Sequence, residues 1–163
     1  IEVRGNEVYL NGELIATIIS GFIGDAPGMI EPRTGWVYTD SCPFGEASDY
    51  TRELDPKFHN ITFEKAIMEL GKEVILSVLI AAVDTFKTDP TGASLGVNVF
   101  LAVADDIYNW AHDYPQRTQV YAIEHIYGHK NGMGYIHKNK FIFYSDRDCT
   151  DKISEAIAFS WWG

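Results

Sequence analysis

Asp105, His112 and Asp113 fall along one face of a predicted helix. That spacing lets a carboxylate orient the imidazole as a general base, and makes the trio the catalytic candidate of the chain. The same face suits plain solvation. Cys42 follows Ser41 in a loop-like segment. A cysteine nucleophile needs a lowered pKa and a partner base, and no base stands in a recognisable arrangement with it. A disulfide between Cys42 and Cys149, closing a loop of about 107 residues, is the favoured expectation. His125 and His129 have a spacing that shares one metal on a helix. The surrounding alternation predicts a strand, where four residues span roughly 13 Å. No metal site is expected. No phosphate-binding loop, dinucleotide fingerprint, nucleophile elbow or zinc motif is present, so no cofactor is expected either.

Two groups of residues suit recognition instead. Trp36, Tyr38 and Phe44 sit in a stretch rich in glycine and proline, residues 20–60, and aromatic content argues against disorder there. Lys130, Lys138 and Lys140, with Arg147 and Lys152, form the basic cluster of an acidic chain, interleaved with Tyr127, Tyr135 and Tyr144. That cluster suits an anionic ligand or the acidic part of a second copy. Lysines that guard strands against aggregation would look the same.

Charge narrows the partners. The chain has 163 residues and a net charge of −10. Residues 1–60 carry 10 acids and 4 bases, 61–115 carry 8 and 3, and 116–163 carry 5 and 6. Such a surface disfavours nucleic acid and anionic membrane. A protein partner or self-association remains. An aromatic share of 13% and a hydrophobic share of 46% mark a globular chain. Ile1 in first place suggests proteolytic processing. Asn60-Ile61-Thr62 is an N-glycosylation sequon, with Asn60 the acceptor. With the cysteine pair, these features point to an extracellular, secreted protein; a cytoplasmic one is the alternative.

The positioning elements follow from periodicity. Val8 to Ile15 read as an N-terminal β-hairpin around Asn11-Gly12. A long irregular loop covers residues 20–60. Phe63, Ile67, Leu70, Val74, Val78 and Phe86 recur at helical spacing, predicting one buried helix over Ile61 to Lys87. Its apolar run is too short to span a bilayer, which needs about 20 residues, so no transmembrane segment is expected. A second helix covers 93–114, ending at Tyr114-Pro115. An antiparallel strand meander covers 117–145. Ile153, Ala156, Ile157 and Trp161 predict a C-terminal helix. The expectation is an α+β fold, one compact domain over 1–163.

Three functions are compatible with this reading. The first is a processed, secreted binding or effector-type protein that works by surface recognition through the 20–60 loop. The second is a small hydrolase built on the His112/Asp pair, and the third a structural subunit of an assembly.

Overall fold

The computed structural model describes residues 1–23, 36–83, 92–132 and 134–162, and leaves the side chains of 36, 37, 92–98 and 162 outside that description. Asn11 and Gly12 both adopt positive φ, 51° and 82°. A two-residue turn of that hand matches the twist of paired strands. Leu10 therefore pairs with Glu13, and β2 (Glu7–Leu10) folds onto β3 (Glu13–Phe22), with β1 (Glu2–Arg4) on its other side.

The next strands come from the stretch read as an irregular loop. Trp36–Thr39 form β4, a 3-10 turn covers Ala47–Asp49, and Tyr50–Glu53 form β5. Lys57–Phe63 form β6, in which Lys57, His59, Ile61 and Phe63 alternate into the interior. Both β5 and β6 pair with β7 (Gln119–His129), one after the other along the same edge. Pro56 lies at the break between them, where its missing N–H costs no ladder bond.

The predicted helix over Ile61 to Lys87 is corrected. Ile61–Phe63 complete β6, because β-branched and aromatic residues there pair with β3 and β7. The helical part splits into α1 (Ile67–Leu70) and α2 (Lys72–Ala82) at Gly71, whose φ of 84° no helix accommodates. Phe86 and Lys87 lie outside the described residues. Gly92–Asp113 form α3.

The C-terminal helix is also corrected. Lys152–Trp162 form strand β9, paired with β8 (Ile136–Tyr144) on one side and β4 on the other. Ile153, Ala156, Ile157 and Trp161 fit a helical stripe, but Ser154, Ala156, Ala158 and Ser160 also alternate with period two. These inward residues are small where α3 lies over the strand, and Ser154 Oγ donates to Asp106 Oδ2 of α3 at 2.6 Å.

Among the described residues the strands run in the order β1-β2-β3-β6-β7-β8-β9-β4, all neighbours antiparallel. The result is an α+β fold with the helices on one face. Ile75, Val78 and Leu79 of α2 and Phe100, Val103 and Ile107 of α3 are buried against Ile18, Ile61, Val120, Phe141 and Phe143 of the sheet. Phe100 meets Phe141 edge-on at 5.1 Å between ring centroids. Among the described residues no helix is long and apolar enough to cross a membrane.

The expected disulfide is overturned: Cys42 and Cys149 are both free thiols. Cys42 packs with Tyr50, Phe159 and Trp161 near the end of β9, whereas Cys149 lies in the turn before β9 begins. Roughly eight strand residues, about 25 Å, part the two ends, and bridged Cα atoms stand within about 7 Å. Burial, then Asp146 and Asp148, raise the Cys149 thiol above its ordinary pKa. The folded state therefore favours the protonated thiol. Its stabilising share is present below the unfolded pKa and is lost as pH rises through the folded value. Alkylation of Cys149 by iodoacetamide should reach half its maximal rate at a higher pH in the native chain than in urea. An unchanged midpoint would show the turn to be open.

Candidate functional site

The helix-covered face carries a polar chain in a mainly apolar interior. Ser20 of β3 stands opposite His59 of β6 in the register, and Lys57 stands opposite Glu124 of β7. Ser20 Oγ lies 2.8 Å from His59 Nδ1, and His59 Nε2 lies 2.8 Å from Glu124 Oε1. Asn139 of β8 donates from Nδ2 to Glu124 Oε2 at 2.6 Å, and Ser160 of β9 donates to Asn139 Oδ1 at 2.8 Å. Tyr38 of β4 reaches Glu124 Oε2 from its hydroxyl at 3.4 Å. Five adjacent strands thus contribute one residue each to a continuous line, and a sixth adds the tyrosine.

Glu124 is 1% exposed and His59 5%, while Ser20 is half-buried near the end of β3. With Glu124 ionised its oxygens only accept, and His59 Nε2 then carries a hydrogen toward it. In the neutral ring Nδ1 is then the acceptor, with its lone pair aimed at the Ser20 hydroxyl. The arrangement is a hydroxyl, an imidazole and a buried acid in series.

The expected catalytic trio is not brought together. Asp105 pairs with Lys72 Nζ at 3.2 Å, His112 packs edge-on against Tyr108 at 4.5 Å between centroids, and Asp113 is exposed at the end of α3. Asp105 and His112 lie about 10 Å apart along the helix axis.

The residues expected to bind are scattered. Tyr38 points inward into the polar line. Phe44 is exposed and touches the His129 ring edge-on at 5.4 Å. The side chain of Trp36 lies outside the described residues. Lys130 pairs with Asp49 Oδ1 at 3.0 Å, Lys138 donates to the Ala47 carbonyl at 3.4 Å, and Lys140 pairs with Glu155 at 3.4 Å. These lysines tie the 3-10 turn and β9 to the meander. Asp49 is held below the usual carboxylate range, first by the Glu46 backbone N–H and then by Lys130. Beside it, burial first and Cys42 second push Tyr50 up to about 12, so its hydroxyl stays protonated and donates to the Phe44 carbonyl at 2.8 Å.

The opposite face of the sheet bears no α-helix among the described residues. Register places Ile19, Tyr121 and Tyr144 in one row and Phe58, Ile123 and Ile142 in the next, with Ile157 beside them. Ile19 is 59% exposed and Ile157 49%, and the others are half-exposed. Asn60 of the sequon stands in the first row, between Ile19 and Tyr121.

Sequence reading passed over Ser20, His59, Glu124, Asn139 and Ser160. One signal was available. Glu124 shares its parity with Val120, Ala122 and Ile126, so alternation alone turns a carboxylate inward. His59 likewise shares the parity of Ile61 and Phe63. Among the described residues no group of three or more His, Cys, Asp or Glu could hold a metal ion. No family model, curated protein or solved structure matches this chain.

Proposed function

We propose that this protein works by surface recognition, with the helix-free face of its sheet as the recognition surface and a second copy of the chain as its occupant. The observation that carries this is the exposed apolar patch on β3, β6, β7 and β8, with Ile157 of β9 set diagonally beyond the Lys140–Glu155 pair. Three strand spacings by four residues amount to on the order of 200 Å² in projection. The largest apolar patch on a single chain is often functional, above all where polar residues rim it.

Charge favours a second copy. The patch is built largely on β7, β8 and β9, which lie in the near-neutral third of the chain with 5 acids and 6 bases. Two copies can approach through that third without opposing their acidic parts. Two sheets with apolar facing sides pack about 10 Å apart, side chains interleaved. The 20–60 segment enters through Phe58 on the patch.

Light scattering over a broad concentration series should show a mass rising to twice that of the chain. Ile142→Lys, at the centre of the patch, should restore the single-chain mass with a Tm shift of a few degrees at most. A single-chain mass at every concentration would overturn the second copy as occupant. So would a glycan on Asn60 in native protein, since it would stand where the partner must pack.

A further inference from the structure

We infer that Ser20, His59 and Glu124 form an acyl-transfer centre that takes a carboxylic ester with a small acyl group. The inference concerns the helix-covered face and is independent of the recognition surface on the other side.

Three observations meet at this site. The serine hydroxyl lies within hydrogen-bonding distance of the one ring nitrogen whose lone pair is free to accept, at 2.8 Å. The other ring nitrogen, also at 2.8 Å, faces a carboxylate that is almost wholly removed from water. That carboxylate is itself oriented by Asn139, which Ser160 holds in turn. A hydroxyl is a weak nucleophile at neutral pH and gains reactivity when an adjacent base takes its proton. The imidazolium so formed is stabilised by a negative charge buried where water screens it poorly. Ser20 and His59 touch the reacting atoms and are the catalytic residues. Glu124, Asn139 and Ser160 act through His59 and are positioning residues. The ring is used in the opposite sense to the common triad, with Nδ1 toward the serine, and the proton path is the same.

The chemistry balances with water as the second reactant. Ser20 Oγ bonds to the ester carbonyl carbon as its proton passes to His59 Nδ1. The tetrahedral adduct collapses by breaking the bond to the alcohol oxygen, and the alcohol leaves with the proton from Nδ1. Water then attacks the acyl-serine carbonyl and gives a proton to Nδ1. Breaking the bond from Oγ to carbon releases the carboxylic acid and returns the proton to Ser20. The half-buried hydroxyl and nearly enclosed imidazole favour a small acyl group over a large one.

The test is covalent labelling of the full chain with a fluorophosphonate probe, mapped by peptide mass, alongside turnover of p-nitrophenyl acetate. The expected result is one phosphonyl group on Ser20 in native protein and none there in urea-unfolded protein. Ser20→Ala should lose both labelling and turnover. Glu124→Gln offers an amide N–H to Nε2, which drives the ring proton to Nδ1 and removes the base. Turnover should then fall by about 10³–10⁴-fold. A merely structural network predicts no labelling at all. Native, folded protein that leaves Ser20 unmodified under probe excess overturns the inference. If Ser20→Ala fails to fold, the site of labelling in the unsubstituted chain decides alone.

Discussion

Val78→Asp is expected to abolish the folded state. Val78 is wholly buried on α2 among Ile75, Leu79 and Ile80, between the sheet and α3. The substitution forfeits about 1.5–3 kcal/mol of apolar burial. It also places a carboxylate where no cation is opposed to it among its buried apolar neighbours, at a cost of several kcal/mol. Domains of this size are stable by about 5–15 kcal/mol in total, so the two losses together approach the whole. Near-ultraviolet circular dichroism at 25 °C should show no ordered aromatic signal. A native-like spectrum would mean that α2 can leave the sheet without unfolding the rest, and that the helix is not central to the core.

Glu124→Ala is expected to lower stability by about 3–5 kcal/mol, the loss that follows when one partner of a buried pair is removed. The carboxylate accepts from His59, Asn139 and Tyr38 at 2.8, 2.6 and 3.4 Å. Alanine leaves those buried donors without this acceptor, and each buried donor without a partner costs about 1–3 kcal/mol. Glu124→Gln keeps one carbonyl oxygen and should lose less. The measurement is the urea midpoint at constant m. A loss under about 1 kcal/mol for alanine would show that the donors find other acceptors and that the polar line is loosely held. The two variants also separate folding from chemistry: glutamine should retain much of the stability while removing the proton acceptor at Nδ1.

Local signals in the sequence reach some of this structure. Asn11-Gly12 between apolar alternations implies positive φ at two successive residues, and those are the angles found. The stripe from Val99 to Trp110 is long enough to define a helix, and Tyr114-Pro115 follows its end. Elsewhere the period is ambiguous. From Ala156 onward the residues of β9 are apolar or small on both faces, so a stripe at three and four and an alternation at two fit equally well. Strand pairing decides between them, and pairing is not local.

The same physics hid the polar line. Ser20, His59, Glu124, Asn139 and Ser160 come from five strands. They converge through four registers, each of which would turn every side chain over if slipped by one residue. The His112 grouping was visible because helix spacing is local, and its members were then found apart. The cysteine pair failed for a related reason. Sequence counts two thiols but carries no information on which end of β9 each one occupies.

The order of synthesis gives the far edge of the sheet a particular history. Trp36 pairs with Trp162, about 126 residues later. At roughly 5–20 residues per second on the ribosome, β4 emerges some 6–25 seconds before its partner. The opposite side of β9 pairs with β8, so both neighbours of the last strand stand exposed together once β8 has emerged and until β9 follows it. Two unpaired strand edges on a nascent chain are templates for joining other chains. A pause before Lys152 is therefore the step at which this protein is most open to aggregation, and the arrival of β9 closes both edges at once.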